Sequence, residues 1–140
     1  MSNFVPTMDK VFIDAMYLWS TVPPYNEYPV RTITDRLLPA IKTSRIKVYY
    51  DQDQMMHAFA TWGFMTDREF ESREYSGSEI FSRNSGDKLV VVDMIAPGGI
   101  NDVLFVARDL RKFFNKLYPH ITKAYAHRGG RNGVFLGKGD

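Results

Sequence analysis

The run Leu89-Val90-Val91-Val92-Asp93-Met94-Ile95 constrains this chain more than any other stretch. A short, unbroken β-branched segment reads as a strand covered on both faces. Ala96-Pro97-Gly98-Gly99 then stops it sharply. Asn101 is a good N-cap, and Asp102 suits the first turn of the helix after it. That helix runs to about Leu117, with Val103, Val106, Ala107, Leu110, Phe113, Phe114 and Leu117 along one apolar face, and Pro119 ends it. Strand, glycine turn and helix in that order are a common ligand-binding layout, because ligands favour the carboxyl ends of strands and the amino ends of helices.

One carboxylate interrupts the apolar run. A buried Asp93 is costly unless it is paired, and such groups gather at functional sites. A structural bond to backbone or to an arginine accounts for it equally well. Pro97-Gly98-Gly99 bares backbone N–H groups that can cradle a phosphate or a pantetheine arm. The two glycines are adjacent, however, and lack the spacing of a dinucleotide or P-loop fingerprint.

The rest of the chain supplies helices and strands in mixed order. Val11, Ala15, Leu18 and Trp19 form one stripe, which predicts a helix over 7–20 capped by Thr7 or Asp9. Three prolines in the nine residues Thr21 to Pro29 forbid regular helix and leave an aromatic loop of fixed shape. Ile33, Leu37, Leu38 and Ile41 predict a helix over 30–42 that kinks or ends near Pro39. Residues 45–50 alternate, with Ile46, Val48 and Tyr50 on the covered side, and 55–64 complete an antiparallel hairpin. Thr66 and Glu69 have capping-box spacing for a short helix within 65–74. Residues 76–87 read as a Gly/Ser-rich loop. Two last strands, 121–127 and 134–137, flank the glycine turn 128–133. The result is an α/β (α+β) chain without repeats, read as one domain over 1–140.

Composition narrows the chemistry. There is no cysteine, which removes disulfides, thiolate zinc sites and cysteine nucleophiles. No two of His57, His120 and His127 have the i, i+4 spacing of a metalloenzyme helix, so no metal is expected. No serine sits in a Gly-x-Ser-x-Gly elbow. Trp19 and Trp62 are expected in the core. No apolar run spans a bilayer, and Met1 to Lys10 lacks signal-peptide character, which points to the cytoplasm. Net charge is +2, yet Arg108 to Asp140 holds eight Lys/Arg against two Asp/Glu, and the residues before it hold ten against fourteen. A basic C-terminal quarter suits an acidic protein, a phosphate group or nucleic acid, although no nucleic-acid motif is present.

Several segments together resemble the toxin-activating lysine acyltransferases, the haemolysin-activating protein C family. They are Tyr17-Leu18-Trp19, then Pro29-Val30, then Leu38-Pro39-Ala40-Ile41. Ala58-Phe59-Ala60-Thr61-Trp62 comes next, and then Ser85-Gly86-Asp87 ahead of Asp93-Met94-Ile95-Ala96-Pro97. Val134 to Lys138 is a looser match. The resemblance implies a GNAT-like fold, a mixed and mainly antiparallel sheet flanked by helices. It also implies transfer of a fatty acyl group from acyl carrier protein, or from acyl-CoA, to a protein lysine. Such proteins are cytoplasmic and often dimeric.

The family's site is a histidine and an aspartate. Asp93 falls on the aspartate, and Tyr25 falls where the histidine would stand. In that frame Tyr25 positions the acyl carbonyl and Asp93 orients or deprotonates. Pro97, Gly98, Gly99 and Asn101 receive the pantetheine arm, and Arg108, Arg111 and Lys112 dock an acidic carrier. No tightly bound cofactor is expected. A phenol ionises near pH 10, far above imidazole, so it makes a poor base at neutral pH. The substitution leaves a second reading open: an inactive acyltransferase fold serving as an interaction subunit of a larger assembly such as a phage virion.

Overall fold

A computed structural model describes residues 4–128 and 131–137, the last seven and Arg128 as backbone only. The first helix, α1 (Met8–Thr21), starts where Thr7 accepts a hydrogen bond from the Lys10 N–H, and it buries Val11, Ala15, Leu18 and Trp19 as its spacing predicts. A 3-10 turn over Tyr25–Glu27 leads to α2 (Val30–Lys42). Helix α2 does not end at Pro39 but runs on for three residues. Its buried side is Ile33, Leu37, Ala40 and Ile41, and Leu38 is exposed instead.

Strands β1 (Ile46–Tyr50) and β2 (Met56–Met65) form the expected hairpin. Both faces of β1 are engaged: Ile46, Val48 and Tyr50 pack under α1 and α2, and Tyr49 is buried on the opposite side. Next come α3 (Asp67–Ser72), with its Thr66–Glu69 capping box, and α4 (Gly77–Ile80). The latter lies inside the stretch read as a loop. It forms because Gly77 lets it sit against α2, where a Cβ would fall 2.3 Å from the Asp35 carbonyl oxygen. Strand β3 (Lys88–Ile95) and helix α5 (Ile100–Leu117) match their predicted bounds. The cap of α5 is Gly99 at φ 102°, however, so Asn101 lies in the first turn and does not cap. Strands β4 (Lys123–Arg128) and β5 (Arg131–Gly137) close the chain, β5 starting earlier than expected. The predicted glycine turn between them includes residues 129 and 130, which lie outside the described residues.

The five strands lie in chain order, antiparallel except for the parallel β3–β4 pair. Helices cover both faces of this mixed, GNAT-like sheet. Helix α5 packs Val106, Leu110 and Phe114 on one face with Trp62, Phe64 and Val91. On the other face α1 and α2 cover Phe59 and Ile95, and α3 and α4 cover Val90. Among the described residues, no helix is long and apolar enough to cross a membrane.

Two features of β3 fix the direction of Asp93 and, among the described residues, leave the edge beside it without a strand partner. Its register with β2 slips between Thr61 and Trp62, which pair with Asp93 and Val91 and leave Val92 without a partner. A bulge of this kind reverses the alternation of faces beyond it. Leu89 and Val91 point to α5, whereas Asp93 and Ile95 turn toward α1 and α2. The β3–β4 pairing, in turn, extends only from Leu89↔Ala124 to Val91↔Ala126 among the described residues. Beyond Val91, β3 has no strand partner on that side among those residues.

Candidate active site

Asp93 sits on β3 just past the bulge, only 2% exposed. The Thr61 hydroxyl accepts its backbone N–H at 3.2 Å, so the partner strand fixes it. One carboxylate oxygen takes a 3.0 Å ion pair and hydrogen bond from Arg36 on α2. The other, Oδ2, is buried without a partner among the described residues. Burial pushes this carboxyl up to about 6, against the opposing pull of Arg36.

Aromatic rings enclose the pair. The Arg36 guanidinium lies 5.5 Å from the Tyr28 ring centre and 6.0 Å from that of Tyr75. Tyr25 stands edge-on to Trp19 at 5.0 Å, and Trp19 stacks on Phe59 at 6.4 Å. A backbone hydrogen bond with Met94 ties Tyr25 to β3 one residue beyond Asp93. Burial, with the nearby Asp93 charge adding to it, pushes the Tyr25 phenol well above its ordinary value. Tyr25 is therefore a neutral hydrogen-bonding group at physiological pH and not a base. The outer side of Arg36 opens on a cleft of about 500 Å³ lined by Thr32, Asp35, Arg73, Tyr75 and Ser76 among others.

The segments that carry the family resemblance converge here. Trp19, Phe59, Thr61 and Asp93 come from three different ones, and all contribute to a single cluster beside Tyr25. Ser85-Gly86-Asp87 has a scaffolding place: the Asp87 carboxylate accepts the Asp67 N–H at the start of α3, and Gly86 packs against Phe64. The residues converge although they are far apart in sequence, which is why their spacing alone left Asp93 undecided.

Comparison with known proteins decides the lineage. The RTX toxin acyltransferase family matches residues 6–134. The chain belongs to this family. It is 29% identical over 133 residues to the RTX-III toxin-activating lysine-acyltransferase of Actinobacillus pleuropneumoniae, covering 87% of this chain and 75% of that protein. It is 27% identical over 92 residues to the RTX-II toxin-activating lysine-acyltransferase of the same organism, covering 64% of this chain and 56% of that one. Membership in the RTX toxin acyltransferase family supplies the reaction class, acyl transfer, to which the geometry must answer.

The other expected site residues lie further off. Pro97, Gly98 and Gly99 are exposed at the end of β3, and Asn101 is exposed in the first turn of α5. The turn is not an open anion cradle: a Cβ on Gly98 would fall 2.2 Å from Asp102 Oδ2, so a carboxylate already occupies that space. His57 faces the same carboxylate at 3.5 Å. Arg108 and Lys112 are exposed on α5 and Arg111 is half-buried there, across the sheet from Asp93. Arg36 and Tyr75 escaped the sequence reading. Arg36 left a signal: it stands three residues after Ile33 and four before Ala40, on the flank of the buried stripe of α2.

Proposed function

We propose that this protein transfers an acyl group from the thioester of an acyl carrier protein to a lysine amine on a protein acceptor. The observation that carries this is the buried Asp93, held by Arg36 and Thr61 with one oxygen unpartnered among the described residues, beside the part of β3 that β4 leaves uncovered. A strand edge without a strand partner can offer backbone groups to a pantetheine arm, next to the Met94 position that Tyr25 bonds. Pro97, Gly98, Gly99 and Asn101 stand at the entrance to that edge. Asp102 over Gly98 disfavours a diphosphate there and suits an uncharged arm, which favours a carrier protein over coenzyme A as donor. On the outer side of α5, Arg108, Arg111 and Lys112 dock the acidic carrier, with exposed Leu104 and Phe105 beside them.

In this reading Asp93 holds the acceptor amine through its spare oxygen. Tyr25, kept as a phenol, donates a hydrogen bond to the thioester carbonyl. Holding a thioester against an amine supplies much of the acceleration by itself.

The test is purified protein with fatty-acyl carrier protein and a synthetic lysine peptide, read by mass spectrometry. Acyl-lysine should form, and Asp93→Asn should abolish it in a protein that remains folded. A wild-type protein that neither binds nor consumes the donor would overturn the reading and favour the non-catalytic subunit.

A further inference from the structure

The site has a carboxylate and a phenol but no imidazole. The neighbouring strand carries one. The last β3–β4 pair is Val91↔Ala126, so the next residues on the two strands are Val92 and His127. In-register residues of parallel strands point to the same face. Val90 and Tyr125 both pack with α3 and α4, and two residues further on Val92 and His127 return to that side. The His127 ring confirms its direction by stacking on Phe70 of α3, centres 4.5 Å apart. The bulge turns Asp93 to this same face of the sheet. Arg36, bonded to Asp93, also acts electrostatically on His127.

We propose that His127 is the general base of the transfer, accepting a proton from the acceptor lysine. The proposal rests on the acyltransfer reading. Its geometry is specific. Nε2 lies 2.7 Å from the Phe70 carbonyl oxygen. A carbonyl only accepts, so Nε2 holds the proton and the Nδ1 lone pair is the basic site. The charged groups acting on the ring are Arg73 and Glu71 at the end of α3 and Arg36 on α2. Burial, with the two arginines, keeps the imidazole below its ordinary value, so it is neutral and basic near pH 7.

The lysine ammonium gives one proton to Nδ1. The free amine attacks the thioester carbonyl carbon, and the C–N bond forms as the C–S bond breaks. A second nitrogen proton goes to the departing thiolate, which leaves as a thiol, and His127 returns its proton to water.

The experiment uses fatty-acyl carrier protein and a synthetic lysine peptide with wild type and His127→Gln. Glutamine keeps an N–H able to reach the Phe70 carbonyl. The variant should lose on the order of 100-fold or more in turnover, and added imidazole should restore part of the rate to His127→Ala. The acidic limb of the wild-type rate profile should also change shape, leaving only the titration of Asp93 near 6. A glutamine variant that turns over at the wild-type rate overturns the proposal while leaving the acyltransfer reading intact. A wild-type protein without transfer overturns both. Because substitution here could disturb Phe70, a second arm keeps His127: in His57→Gln/His120→Gln it is the sole histidine, and carbethoxylation should abolish transfer with recovery in hydroxylamine. Full activity after complete modification would refute the role.

Discussion

The Arg36 guanidinium lies 3.0 Å from one oxygen of Asp93, while the other oxygen of the same carboxylate is buried without a partner among the described residues. One oxygen is thus structural and the other chemically free. An arrangement that only balanced charge would satisfy both, as a bidentate arginine does.

The first consequence is a pH-dependent stability. The folded carboxyl of Asp93 is raised from 3.8 to about 6. The folded state therefore holds more protons than the unfolded state between those values. The associated stability is fully present below about pH 4 and is lost as pH rises through about 6, a change on the order of 3 kcal/mol. Urea unfolding of wild type and Asp93→Asn from pH 4 to 7 should show this slope only in the wild type. Parallel curves would contradict it.

Removing Arg36 should be costly in a pH-dependent way. Arg36→Met leaves a buried charge without its partner, which typically costs roughly 3 to 5 kcal/mol. Part of that is relieved when Asp93 takes up a proton. The loss measured by chemical denaturation should accordingly be larger at pH 8 than at pH 5.

Tyr25→Phe separates packing from chemistry. The ring contact with Trp19 is retained, so the melting temperature should shift by no more than a few degrees. The hydroxyl that faces the reacting carbonyl in the proposed reaction is lost, and turnover should fall roughly 100-fold. Unchanged turnover would remove Tyr25 from the reaction.

The α5 surface makes a kinetic prediction. Reversing Arg108 and Lys112 to glutamate should raise KM for the acidic carrier several-fold and flatten its salt dependence, with kcat little altered. Steady-state kinetics at two ionic strengths check this. An effect on kcat alone would argue against docking at this face.

Much of the framework is legible in the chain. Stripes in α1 and α5 and the valine run of β3 mark those elements because each buries one face, or both, against neighbours several positions apart. Asp93 was visible as a carboxylate in an apolar strand. Helix α4 was not, since four residues carry no period and the element forms only because Gly77 can reach the Asp35 carbonyl. Asn101 looked like a cap by residue type, yet Gly99 takes that place through a positive φ that glycine adopts without strain. Tyr75 and His127 gave no pattern that distinguished them from surface residues.

The sequence by itself determined the element order, the family resemblance and the candidate carboxylate, because periodicity and short motifs are local properties. Only the tertiary structure decided which face Asp93 uses. Strict alternation from Leu89 and Val91 would have placed it under α5 among apolar rings, and one unpaired residue, Val92, turned it to Arg36 instead. A bulge depends on the register between two strands, and register is set by the packing of both faces at once. The same holds for His127, which reaches that face only because β4 pairs in parallel with β3 across the whole length of α5 in the chain.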